Sequence, residues 1–181
     1  MSILKVARMG HPVLRAKARA LDRGELKSAA VQRLIDDMID TMYEYHGVGL
    51  AAPQVHEGRR LFDASLNAGG EGEDAGADEG DPEPLVIVNP EITVVASEMV
   101  EEWEGCLSIP DIRGRVPRAR GIKVRALNRK GESIELNAKD FSARVLQHEY
   151  DHLDGVLFFD RMRSLGTLTF LDEYSRYWTK D

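Results

Sequence analysis

Cysteine is nearly absent from this 181-residue chain: Cys106 stands alone. A disulfide within the chain is thereby excluded, and a reducing compartment is the natural setting. Long apolar runs are missing too. No stretch approaches the roughly 18 residues of a membrane span, and the N-terminus lacks the apolar core and small-residue cleavage site of a secretory signal. Residues 1–23 are basic and nearly free of acid, as in an organelle transit peptide, but Gly10-His11-Pro12 and the scarcity of serine point away from one. The expected setting is therefore a bacterial-type cytoplasm rather than an organelle. A basic stripe is also lacking. The net charge of −7 misleads as a global property, because residues 71–83 hold seven acids and no base, while the other 24 acids balance 24 bases. Nothing here tracks a phosphate backbone, so neither a nucleic-acid site nor a membrane contact is expected.

What remains is ordinary for a globular protein: 43% hydrophobic and 30% charged residues. The length suits one domain over 1–181 with a real core. Val31, Leu34, Ile35, Met38, Ile39 and Met42 recur at three- and four-residue spacing and predict a helix over 25–45, stopped at His46-Gly47. Residues 63–84, rich in glycine and acid with little to bury, read as a flexible insertion. From 85 to 137 short strands are expected at Leu85–Val88, Ile92–Ala96, Ile122–Leu127 and Glu132–Leu136, in an antiparallel arrangement. Helix returns over 139–153, and an amphipathic stretch with Leu165, Leu168, Leu171 and Tyr174 ends the chain.

The second helical segment carries the chemistry, in His148-Glu149-Tyr150-Asp151-His152. Residues four apart on a helix sit about 40° apart around the axis and about 6 Å along it, so both imidazoles reach one ion. Glu149 and Asp151 fall about 60° to either side, flanking the ligands, while Tyr150 points away. This is the H-E-x-x-H arrangement, in which two histidines bind a metal and the glutamate handles protons. Two histidines leave a catalytic metal one protein ligand short. Glu173, Asp154 and Cys106 are the candidates to complete it, and spacing alone does not choose among them. Glu173 would make a zinc-protease-like site, and a metal-binding module without catalysis is the other competing reading. A lone cysteine is either a small buried apolar residue or a reactive or metal-binding thiolate.

Three segments decide the matter by likeness. Gly47-Val-Gly-Leu-Ala-Ala-Pro-Gln54, Glu104-Gly-Cys-Leu-Ser108 and Gln147-His-Glu-Tyr-Asp-His152 occur in the order and at the separations of the peptide deformylases, which the chain resembles over essentially its whole length. The resemblance implies an α+β fold, with antiparallel β-sheets packed around a central helix carrying the two histidines and with a C-terminal helix. It implies removal of the formyl group from the N-terminal methionine of new polypeptides, releasing formate. By match to the family's motifs, Cys106, His148 and His152 bind the metal and Glu149 is general base and acid. The Leu107 N–H and the Gln54 amide face the formyl oxygen, where two such donors each supply about 3 kcal/mol of transition-state stabilisation. The metal is one divalent ion, Fe²⁺ first, with Zn²⁺, Ni²⁺ and Co²⁺ as alternatives. The partners implied are formyl-methionyl nascent chains, and with them the ribosome near its exit tunnel.

Helical geometry adds a candidate pocket. Phe141, Arg144 and Val145 lie within about 60° of His148 on one face, one to two turns earlier. Phe141 and Val145 suit a methionine side chain, although they suit an ordinary core equally well. Val48, Gly49 and Gly105 offer backbone on which a peptide pairs as an added strand. Asp151 is placed to orient one of the histidines. One departure stands out: family members usually continue after the Gln54 motif in a clear hydrophobic strand, whereas Arg59-Arg-Leu-Phe-Asp-Ala-Ser65 leads here into the acid-rich insertion.

Overall fold

A computed structural model describes residues 2–66 and 84–179. The acid-rich stretch 71–83 lies outside the described residues. The first helical region is two helices, not one: α1 (Arg23–Leu26) and α2 (Ala29–Glu44). Ser28 divides them by accepting the Val31 N–H at 3.3 Å, an N-cap that restarts the helix. Val31, Ile35, Met38 and Met42 are buried, the apolar face the periodicity predicted. α2 ends at Glu44, and the left-handed residue that follows is His46 (φ 53°), not the glycine.

The sheet is antiparallel, in the order β1 (Gly49–Ala51), β2 (Leu61–Ala64), β3 (Leu85–Cys106), β4 (Ile109–Leu127) and β5 (Ser133–Lys139). Asp63 and Ala64, expected in the insertion, belong to β2. They pair with β1 at Leu50↔Asp63 and with β3 at Asp63↔Val86, so the strand that looked interrupted is present. The two strands predicted over 85–96 are one. β3 passes through Asn89-Pro90 by a shift in register between Val88 and Glu91, with Asn89 at φ 49°. The Asn89 amide is tied to both the N–H and the C=O of Leu21, at 2.9 and 2.7 Å, which anchors that irregularity. A bulge keeps pairing on both sides of a residue that a regular ladder excludes.

α3 (Asp140–Leu153) lays Ala143, Leu146 and Leu153 against Phe62, Ile87 and Ile122 of the sheet, all fully or almost fully buried. The C-terminal stretch is not one helix. A 3₁₀ turn over Leu165–Thr167 leads to β6 (Thr169–Phe170), which pairs with β4 at Ile112↔Phe170 and Arg113↔Thr169, and then to α4 (Leu171–Tyr177). Antiparallel sheet plus helices, the last of them C-terminal, is the α+β arrangement expected. No helix among the described residues is long and apolar enough to cross a membrane.

Candidate metal centre

α3 presents His148 and His152 one turn apart, and the end of β3 delivers Cys106 to them. One ligand atom from each of the three lies within 4.8 Å of the others, and no other group of three or more His, Cys, Asp or Glu among the described residues is so placed. The Cys106 Sγ is 3.3 Å from His152 Nε2. Tetrahedral bonds of 2.0–2.3 Å need donors about 3.5 Å apart, so a sulfur and two nitrogens so disposed fit a divalent transition metal. The other two candidates for third ligand are engaged elsewhere. Glu173 accepts from Arg176 on α4 at 3.3 Å, and Asp154 from Arg60 at 2.6 Å.

A buried charge network supports the ligands. Glu104 Oε2 lies 3.0 Å from His148 Nδ1. The same carboxylate accepts from Arg118 at 2.9 and 3.0 Å and from Arg144 at 2.7 Å. With its Nδ1 proton held by a carboxylate, His148 is left Nε2 as a lone pair for a metal. The expectation for Asp151 needs correction here. It pairs with Arg118 and, at 2.7 Å, with Arg161, and so reaches the histidine only through Arg118 and Glu104. Glu104 was legible only as a motif letter. The signal that points to it is its position two residues before Cys106, which puts both side chains on one face of a strand.

Burial and charge set the protonation states. Burial by itself raises the Glu104 carboxyl, but hydrogen bonds from His148 and Arg118 outweigh it and hold the group well below the usual carboxylate range. Burial lowers His148, yet the facing Cys106 and Glu104 hold it well above its ordinary value in the metal-free protein. His152 is pushed well below, by burial first and then by the charge of His148. Burial pushes Glu149 up to about 7 against the opposing charge of His148. Its Oε2 has no hydrogen-bond partner among the described residues. Asp63, which sequence reading passed over, is only 1% exposed, and neither of its oxygens has a partner among the described residues. Burial and the charge of Glu149 raise it well above its ordinary value. An acid inside the apolar run Leu61-Phe-Asp-Ala64 was the available sign.

Gln54 is held by its own chain. Its Oε1 accepts the Ala51 N–H at 2.8 Å, which turns the amide NH₂ toward Ser108 Oγ (3.2 Å) and Cys106 Sγ (3.5 Å). Beside it opens a cavity of about 260 Å³, with Cys106, Leu107, His148 and Glu149 in its wall. Val48, Gly49, Gly105, Phe141, Arg144 and Val145 line it too. Arg144 contributes no free charge, because its guanidinium is engaged by Glu104, by Glu102 at 3.1 Å and by the carbonyls of Val100 and Val116. Trp103 and Arg113, which the sequence did not single out, line it as well, with His46, Gly47 and Glu104. Gly49 is there for space: a Cβ on it would lie 2.5 Å from Glu149 Oε1 and 2.8 Å from its Cδ and Cγ.

Comparison with known proteins meets this geometry at every level. The polypeptide deformylase family model matches residues 3–167. Peptide deformylase 2 of Nostoc sp. is 42% identical over 180 residues, covering 99% of this chain and 97% of its own. The chloroplastic peptide deformylase 1B of tomato is 40% identical over 159 residues, 88% of this chain and 53% of its own. A Met-Ala-Ser-bound crystal structure of a class I type b peptide deformylase from Acinetobacter baumannii superposes with a TM-score of 0.78 at 41% identity, covering 90% of this chain and all of the other. On the match of fold, motif and near-complete coverage, the chain belongs to the polypeptide deformylase family.

Proposed function

We propose that this protein is a metal-dependent hydrolase that removes the N-formyl group from the terminal formyl-methionine of new polypeptides and releases formate. The observation that carries the proposal is one convergence. Cys106 and His148 of a Cys-His-His donor set share the wall of one cavity with Glu149, a carboxyl that burial pushes up to about 7. One catalytic domain over residues 1–181 suffices for it.

Cys106, His148 and His152 would hold the ion, which supplies Lewis acidity and lowers the pKa of water toward about 7. Glu149 takes a proton from the attacking water, the C–O bond to the formyl carbon forms, and negative charge grows on the formyl oxygen. The Leu107 N–H and the Gln54 NH₂, the latter already turned by Ala51, face that oxygen. As the C–N bond breaks, Glu149 passes its proton to the departing amine. A carboxyl titrating at about 7 is suited to both halves of that transfer. Phe141 and Val145 offer the apolar wall for methionine, and Arg144 shapes the site through Glu104 rather than by its charge. Val48, Gly49 and Gly105 flank a path on which the peptide lies extended. The Met-Ala-Ser peptide bound to the Acinetobacter enzyme supports that reading.

Fe²⁺ is the metal proposed, since a thiolate with two imidazoles suits iron as well as zinc, nickel or cobalt and affinity order alone does not decide occupancy. The setting proposed is the cytoplasm, at the ribosome where new N-termini emerge. The test is formate release from a formyl-methionyl peptide, by protein purified without oxygen and loaded with iron, nickel or zinc. Turnover by at least one form is expected, and metal content should fall in Cys106→Ser. No formate from any form would refute the proposal.

A further inference from the structure

The C-terminal segment packs behind part of the cavity wall. Trp103, half-buried on β3, lines the cavity, and its ring is 5.0 Å from Tyr174 and 5.4 Å from Trp178, at tilts of 64° and 56°. Tyr174 sits on α4, and Trp178 follows at its C-cap. The same segment also reaches Arg113 of the cavity lining, since β6 pairs Thr169 with Arg113, whose guanidinium lies over Gly105. Trp103 and Arg113 are thus both backed by residues 169–178.

Trp103 is three residues from Cys106 along an extended strand, about 10 Å at 3.3 Å per residue. A peptide lying extended along β3, with its formyl carbon at the metal centre, advances at the same rise. Its second and third residues therefore come abreast of Trp103, beyond the reach of the α3 residues that face methionine. An indole face there offers a broad apolar surface, and an edge-to-face contact from Tyr174 and a tilted one from Trp178 hold its orientation.

We propose that α4 is part of the substrate site: it holds Trp103 as an aromatic wall that favours large apolar or aromatic side chains at the second and third peptide positions. Trp103 is the contact residue, and Tyr174 and Trp178 are positioning residues. The inference rests on the deformylase reading for its ligand.

The chain has two tryptophans, and both lie in this cluster, so intrinsic fluorescence reports on the wall alone. In Trp178→Phe, Trp103 is the sole indole. Its emission should shift on titrating Met-Phe-Phe and stay unchanged with the dipeptide Met-Ala. In turnover, the kcat/KM ratio of formyl-Met-Phe-Phe to formyl-Met-Ala-Ala should be about three to ten, the worth of one aromatic contact. That ratio should fall to about one in Trp103→Ala, carried by KM, and recover in part in Trp103→Phe. Tyr174→Ala with Trp178→Ala should lower it without removing Trp103. A general loss of structure would lower both substrates together and leave the ratio alone. An unchanged ratio in Trp103→Ala, or emission indifferent to Met-Phe-Phe, overturns the wall. If the wild type releases no formate from either peptide, the deformylase reading fails, and the fluorescence titration then judges the wall by itself.

Discussion

Gly49→Ala is the sharpest perturbation this site offers, because it adds one methyl group and removes nothing. The backbone at Gly49 is extended within β1, so an alanine there meets no torsional penalty. What it meets is Glu149, at 2.5 Å from Oε1 and 2.8 Å from Cδ and Cγ. Ordinary contact begins near 3.4 Å, so the carboxyl must retreat by roughly 1 Å, and three atoms must move together rather than one flexible tip. Glu149 is 4% exposed, so it can give way only toward the cavity it lines, out of its working position. Overpacking of this kind costs about 1–3 kcal/mol of stability. A displacement of about 1 Å in a proton-transferring group costs on the order of 100-fold in rate. The expected result is kcat/KM on a formyl-methionyl tripeptide down about 100-fold, carried by kcat, with metal content equal to wild type. Steady-state formate release and metal analysis of the same preparation measure both. Wild-type kcat in a folded, metal-replete Gly49→Ala would refute the argument that this glycine makes room for the catalytic carboxyl.

Glu149→Gln should retain the metal and lose turnover almost completely, since the amide preserves shape but cannot take up a proton from water and pass it on; activity near wild type would assign the base elsewhere. Glu104→Gln removes the negative charge that His148, Arg118 and Arg144 converge on. Metal affinity, read by competition with a chelator, should weaken about 10- to 100-fold, and an unchanged affinity would show that the carboxylate serves packing alone. Asp63→Asn tests the buried acid in β2. The fold raises its pKa, so its contribution is fully present below the unfolded value of about 3.9 and is lost as pH rises toward the folded value. A neutral amide does not titrate, so the melting temperature of Asp63→Asn relative to wild type should be higher at pH 8 than at pH 4; a gap independent of pH would mean that Asp63 is not held protonated by its surroundings.

The chain's local patterns carried a good deal of this. Four-residue spacing of His148 and His152 dictates a shared helical face, and α2's apolar stripe dictates its buried side, because both depend only on the 3.6-residue period. Motif likeness supplied Cys106 as third ligand where spacing left Glu173 and Asp154 open, since sequence distance carries no information on which strand end meets α3. Tertiary structure decided the rest. Asn89-Pro90 reads locally as a turn, yet pairing with β4 on both sides and the hold on Leu21 make it a bulge within β3. Asp151 flanks the ligand stripe on the helix, but Arg118 and Arg161 converge on it from β4 and beyond α3, so the contact to His148 fell to Glu104. The leucine spacing near the C-terminus suggested one helix, whereas an open position beside β4 captured Thr169–Phe170 as β6 and brought α4 against Trp103. In each case the deciding partner is ten or more residues away in the chain, where backbone hydrogen bonds and buried charges must be satisfied across elements and local periodicity is silent.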